Sequence, residues 1–321
     1  MNNEIGGYFG LELRKNDFFL HSDGILLNSG KNALRYIVES INDISHIWIP
    51  YYTCDIILKL IKELDIPHSF YSINEKLEIS KDIFLSKGDY LLFTNYYGIK
   101  DSYIKDLFQK YRDQLIVDNA QAWYAKTLIG CKTFYSPRKY VGVPDGGIAF
   151  VNERIRIDRL EQDISYDRCK HLLKRYDLSA NLGYMDFKQN DIDLSSAPML
   201  RMSKLTYQIL SSIDFRVIKN RRISNFELMH NALGRKNQLL IPEMNYSCPM
   251  VYPFLSQNNS LKQHLINHKI YVATYWPNVL EKCDKKSFDY RLADNLVAIP
   301  IDQRYGEEDM EYMINLICKY A

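Results

Sequence analysis

The chain has 321 residues, 46% of them apolar and 25% charged, and 41 Lys plus Arg against 39 Asp plus Glu leave a net charge of +2. These proportions suit a globular protein with one large domain and a smaller one, and they exclude disordered, collagen-like and low-complexity classes. The near balance of charge gives no field to draw in nucleic acid or anionic lipid, so a small, mostly uncharged partner is expected.

The first half alternates short apolar runs with segments of helical period. The runs His46–Pro50, Tyr90–Asn95, Gln114–Asp118, Cys131–Tyr135 and Gly147–Val151 read as strands closed by turn-forming or polar residues. Between them, Ala33, Leu34, Ile37, Val38 and Ile41 repeat at helical spacing, as do Ile56, Ile57, Leu60, Ile61 and Leu64. Strand, helix and strand in succession require crossover connections, hence an α/β fold with a mainly parallel sheet between helical layers. Ligands of such sheets collect beyond the carboxyl ends of the strands.

Beyond Val151 the strand signal fades. Residues 155–174 and 198–213 read as helical, Asp214 opens a long helix that ends near Gly234, and Glu307–Tyr320 reads as a closing helix. Pro242, Pro249 and Pro253 break the intervening pattern into short strands and loops. The expected organisation is a large domain over residues 1–215 and a smaller α+β domain over 216–321. Six dispersed cysteines without a CxxC pair argue for reduced thiols and against zinc or a disulfide framework, so no metal is expected. The N-terminal segment lacks the basic start and apolar core of a signal peptide, and no apolar run is long enough to span a bilayer, which predicts a cytoplasmic protein. On that reading the glycosylation patterns at Asn245 and Asn258 are chance matches.

Three segments carry chemistry. Asn28-Ser29-Gly30-Lys31-Asn32 is a polar turn opening an amphipathic helix, where unpaired N–H groups and the positive dipole end can hold an anion. A P-loop does not fit, because Asn32 stands where the magnesium-binding hydroxyl belongs; an ordinary Ser cap remains the alternative. Asp118 follows an apolar strand, where a carboxylate can hold a proton on a heterocyclic nitrogen or simply cap a helix. Ser136-Pro137-Arg138-Lys139 leaves the next strand with a hydroxyl three residues before a lysine, which could otherwise be a solvated surface charge.

In this order and spacing the segments resemble fold-type I enzymes that use pyridoxal 5′-phosphate, and more narrowly the DegT/DnrJ/EryC1/StrS sugar aminotransferases. The resemblance covers about half the chain, from Asn28 to Val151 and again at Arg221-Arg222. It implies Lys139 as the Schiff-base lysine, Asp118 as partner of the pyridinium nitrogen and Gln121 as partner of the ring hydroxyl. Ser29, Gly30, Lys31 and Ser136 would hold the phosphate. Cys54 stands where the family often has an aromatic ring over the cofactor, which leaves Tyr51, Tyr52 or Tyr97 to substitute, and Tyr52 is assigned. Lys31 replaces the family's Thr, Phe134 its Ser five residues before the lysine, and Met185 the Asn of its Gly-Tyr-Asn segment.

The resemblance further implies a homodimer moving an amino group, from glutamate, to a keto sugar carried on a nucleotide; Tyr97 is a candidate at the substrate, and Arg304, by its setting in Pro300–Tyr305, is a cationic candidate for a carboxylate or diphosphate with an ordinary surface charge as the alternative. The alternatives are a pyridoxal phosphate enzyme for another carbonyl compound, and a non-catalytic ligand-binding protein. Retention of Asp118 together with Lys139 speaks for an enzyme, because a scaffold needs neither a proton-holding carboxylate nor a reactive amine.

Overall fold

The structure is a computed structural model that describes residues 5–14, 16, 18–155, 157–242 and 246–320; Asn245 of the first glycosylation pattern lies outside them. Nine strands are β1 (Ile25–Leu27), β2 (His46–Pro50), β3 (His68–Tyr71), β4 (Asp89–Thr94), β5 (Leu115–Asn119), β6 (Lys132–Tyr135), β7 (Gly147–Phe150), β8 (Val251–Leu255) and β9 (Leu296–Pro300). The helices are α1 (Gly30–Glu39), α2 (Asp55–Glu63), α3 (Asp101–Tyr111), α4 (Lys170–Asp177), α5 (Ala180–Ser196), α6 (Lys204–Ser212), α7 (Phe215–Leu233), α8 (Leu261–Asn267), α9 (Val279–Lys282), α10 (Phe288–Asn295) and α11 (Glu307–Tyr320). β1 to β7 form one sheet in the order β1-β7-β6-β5-β4-β2-β3, and β8 pairs antiparallel with β9.

Strands β3, β2, β4, β5 and β6 are mutually parallel, while β7 runs antiparallel to both β6 and β1. The side-chain period of two divides each central strand between two cores. Leu91, Phe93, Leu115, Val117 and Tyr135 face one core, and Leu92, Ile116 and Phe134 face the other with α1 and α2. Burial on both faces explains why these strands read as continuous apolar runs. Phe226, Tyr252, Ile299 and Ile317 of the C-terminal segments share the first core, which holds the loops of that region over the sheet's carboxyl edge.

The predicted strands and the long helix from Asp214 coincide with β2, β4, β5, β6, β7 and α7 within a residue or two. The Asp214 carboxylate caps α7 by accepting from the Arg216 and Val217 amides. Sequence reading passes over β1 and β3, of three and four residues, which lie at the two sheet edges. Its helix over 155–174 begins only at Lys170, after a 3-10 turn. Its helix over 198–213 begins at Lys204, because the chain before it runs beside β1, with the Asn28 amide donating to the Leu200 carbonyl and Met202 to Leu26. Helix α5 went unread because most of its apolar residues, Leu182, Met185 and Ile192 among them, are exposed and leave Leu194 without a buried apolar stripe. Among the described residues, no helix is long and apolar enough to cross a membrane.

Candidate active site

The parallel strands deliver their carboxyl ends to one edge. There the Asp118 carboxylate accepts from the Ala120 amide at 2.8 Å and from the Thr94 hydroxyl of the neighbouring strand at 3.5 Å. Burial raises its pKa to about 6, against the pull of the Ala120 N–H, the Lys139 charge and the Thr94 hydroxyl. Lys139 ends a 3-10 turn that leaves β6, its amide bonded back to the Ser136 carbonyl at 3.4 Å. Its side chain is exposed, with Nζ 5.7 Å from the centre of the Tyr275 ring. Cys54 lies within electrostatic reach of both Asp118 and Lys139; burial pushes its thiol up while Lys139 draws it down.

Ser29 caps α1 by accepting from the Asn32 amide at 3.2 Å and forms a parallel bridge with Gly146; N–H groups of a helix's first turn lack an intrahelical partner and can meet an outside acceptor. A Cβ at Gly30 would stand 3.4 Å from the Ser136 Cβ and 3.7 Å from its Oγ, so the helix start and the serine flank one space. The close approach depends on Gly147, where a Cβ would fall 2.0 Å from the Ser29 carbonyl oxygen. The Gly146 amide, donating to the Asn28 carbonyl at 2.8 Å, fixes the same crossing.

Gln121 is 1% exposed. Its Oε1 accepts from the Tyr97 amide at 2.9 Å, whereas its Nε2 has no partner. Tyr97 is left-handed, with φ of +56°, and its hydroxyl pairs with that of Tyr52 at 2.7 Å. Tyr52 is itself fully buried, its ring edge-on to Trp276 at 4.8 Å.

The residues proposed from sequence therefore divide. Ser29, Gly30, Ser136, Asp118, Gln121 and Lys139 gather at the carboxyl edge. The Lys31 ammonium binds Glu63 at 3.2 Å and the Ser195 carbonyl at 2.8 Å, so only its backbone amide is offered to an anion. Tyr52 and Tyr97 occupy each other's hydroxyls inside the aromatic wall, and Cys54 is the side chain that lies near both Asp118 and Lys139. Arg304 is held bidentately by Asp302, at 2.7 Å for each bond; burial would raise the Asp302 carboxyl, but the guanidinium holds it below the usual range.

Sequence reading assigned no role to Tyr140, Gln303 or Tyr275, and noted Arg222 only as part of a matching dipeptide. The Tyr140 carbonyl accepts from Arg222 at 3.2 Å and from Gln303 at 3.0 Å, and its hydroxyl donates to the Gln121 carbonyl at 2.8 Å. Its place next to Lys139 was the available signal. The Tyr275 ring lies 5.7 Å from the Tyr97 ring and 5.7 Å from the Lys139 ammonium.

The mainly parallel sheet between helical layers is a three-layer αβα architecture, and it is the fold of solved pyridoxal phosphate-dependent aminotransferases. The same fold is found in Spr1654 from Streptococcus pneumoniae in its PMP-form, a candidate sugar aminotransferase, at 14% identity and a TM-score of 0.65 over 94% of this chain and 89% of that one. It is found in the sugar aminotransferase CalS13 from Micromonospora echinospora at 13% identity and a TM-score of 0.62, covering 92% of this chain and 86% of that one. A DegT DnrJ EryC1 StrS aminotransferase from Brucella abortus aligns at 14% identity with a TM-score of 0.60, over 92% and 85% of the two chains. No protein-family model and no curated protein sequence matches the chain.

Proposed function

We propose that this protein is a pyridoxal phosphate-dependent aminotransferase that moves an amino group, from glutamate, to a keto sugar carried on a nucleotide. The observation that carries the reading is the joint placement of Asp118 and Lys139 at one strand edge, with the donors a phosphorylated ring needs left open beside them. The fit to the cofactor rests on two observations: the buried Gln121 Nε2 without a partner among the described residues, and the approach of Ser136 to the α1 start.

When bound, the cofactor supplies an aldehyde that takes up the amino group and a ring that accepts electrons from the neighbouring carbon. The Gly30 and Lys31 amides and the Ser136 hydroxyl hold its phosphate, and this orients the reacting atoms without taking part in the reaction. Asp118 keeps a proton on the ring nitrogen by Coulomb attraction, which a buried site strengthens; the cation it faces in turn favours its ionised form. Gln121 Nε2 donates to the ring hydroxyl. Lys139 would be the amine that holds the cofactor and, in its free form, would take the proton from the donor's α-carbon. Its exposed side chain leaves it free to make that exchange.

The assignment of residues 1–215 to cofactor binding, and of 216–321 to a smaller unit that closes over the edge, belongs to this reading. So does assembly as a cytoplasmic homodimer. Leu173, Tyr176, Leu178, Leu182, Met185 and Ile192 of the α4–α5 hairpin are all exposed, and clustered exposed apolar side chains mark interaction surfaces. That hairpin adjoins the anion site, since Asn32 of α1 donates to the Pro198 carbonyl just beyond α5 at 2.8 Å. Light scattering should give twice the 37.8 kDa chain mass, and Leu182→Asp with Met185→Asp should return the monomer.

The decisive test is colour and covalency. Purified protein with added pyridoxal phosphate should gain a visible absorption band, and borohydride followed by peptide mass spectrometry should place the pyridoxyl group on Lys139. Labelling elsewhere, or none, removes the catalytic reading. Release of 2-oxoglutarate from glutamate with a panel of nucleotide-linked keto sugars then identifies the acceptor.

A further inference from the structure

Arg222 is a guanidinium buried to 2% exposure whose bonded partners are all uncharged. Its Nη1 donates to the Met250 carbonyl at 2.7 Å, Nη2 to the Tyr140 carbonyl at 3.2 Å and Nε to the Gln303 Oε1 at 3.1 Å. The guanidinium carbon also lies 4.6 Å from the centre of the Tyr140 ring. Asp302, itself paired with Arg304, is near enough to feel this charge, but a buried guanidinium bonded directly to neutral groups is still costly, and an apolar side chain would fill such a space more cheaply. What only the planar fork of arginine provides is simultaneous bonding in fixed geometry to three separate segments: the approach to β8, the Lys139 turn and the loop after β9.

Those bonds meet at Tyr140. Gln303 accepts from Arg222 through Oε1 and donates through Nε2 to the same Tyr140 carbonyl at 3.0 Å. On the opposite side the Tyr140 hydroxyl donates to the Gln121 carbonyl at 2.8 Å. The residue after Lys139 is thus gripped by its carbonyl from two C-terminal elements and by its hydroxyl from the loop after β5. Before Lys139, Pro137 fixes one φ, and the Lys139 amide bonds to Ser136. The Lys139 side chain itself is free.

We infer that Arg222 and Gln303 are positioning residues that fix the Lys139 turn through the Tyr140 carbonyl and tie it to the loop bearing Arg304. The inference rests on the proposed role of Lys139. A lysine that both tethers a cofactor and moves a proton needs a fixed backbone under a mobile amine.

The test uses Gln303→Glu, which keeps the acceptor for Arg222 but sets an oxygen against the Tyr140 carbonyl, and Gln303→Leu as a second variant should the first not fold. Two readouts are taken: hydrogen exchange of the 136–143 peptide in cofactor-free protein, and the rate at which pyridoxal phosphate becomes borohydride-trappable on Lys139. The expected result is several-fold faster exchange in 136–143 with β5 and β6 still protected. Trapping should slow roughly tenfold while still ending on Lys139, since displacement by about 1 Å costs up to about a hundredfold in a positioned reaction. Unchanged exchange and an unchanged trapping rate overturn the inference while leaving the proposed function intact. A chain that takes no cofactor on Lys139, yet loosens at 136–143 in the variant, sinks the proposed function and upholds the clamp.

Discussion

Tyr97 and Gln121 are joined amide to side chain: the Tyr97 N–H donates to Gln121 Oε1 at 2.9 Å, which orients the side-chain amide and leaves its Nε2 buried and unpaired. A buried donor without a partner costs about 1–3 kcal/mol, which a bound acceptor would recover. Gln121→Met removes that donor at similar length. The dissociation constant for pyridoxal phosphate, read from an absorbance titration, should rise roughly tenfold, the loss of one good hydrogen bond. An unchanged constant would show that Nε2 does not face the ligand.

Asp118 gives a pH signature to the cofactor-free protein. Burial raises its pKa from 3.8 to about 6, so between those values the folded state holds a proton that the unfolded state has lost. Its contribution to stability is therefore complete at low pH and declines as pH rises through about 6, by roughly 3 kcal/mol in total. Asp118→Asn keeps the acceptor for the Ala120 amide and abolishes the titration. The variant should gain on wild type in unfolding free energy between pH 4 and pH 7, while losing activity with pyridoxal phosphate added. A stability difference independent of pH would sink the assigned burial.

Lys139→Ala should separate chemistry from folding. The side chain is exposed, with its ammonium beside an aromatic face and within electrostatic reach of Asp118, so chemical denaturation near neutral pH should shift by no more than about 1 kcal/mol. Turnover and borohydride labelling should disappear together. Residual labelling at another lysine would move the tether elsewhere.

Gly147→Ala is expected to be far more damaging than Gly30→Ala. The first sets a methyl 2.0 Å from the Ser29 carbonyl oxygen and 2.7 Å from the Gly30 nitrogen, backbone that cannot swing aside. The second meets the Ser136 side chain at 3.4 Å. Overpacking of the first kind costs about 1–3 kcal/mol or more, and because it displaces the α1 start it should also abolish pyridoxal phosphate binding. Gly30→Ala should keep near-native stability and weaken binding alone. Equal melting temperatures for the two variants would refute the close crossing of β7 and α1.

By itself the sequence determined the central strands, the helices of strong period and the long α7, because β2, β4, β5 and β6 carry their apolar residues in local runs and Asp214 caps its own helix. The resemblance carried by the segments around Ser29, Asp118 and Lys139 also suggested a chemistry, because each segment follows a strand or opens a helix that local pattern reveals. Tertiary structure alone decided which atoms remain free to act. Lys31 turned to Glu63, Tyr52 to Tyr97 and Arg304 to Asp302, and only the folded chain shows that Gln121 Nε2 has no partner. The three bonds of Arg222 join residues 28, 81 and 82 positions away along the chain. Side-chain direction and hydrogen-bond occupancy depend on neighbours distant in sequence, and no local pattern encodes them.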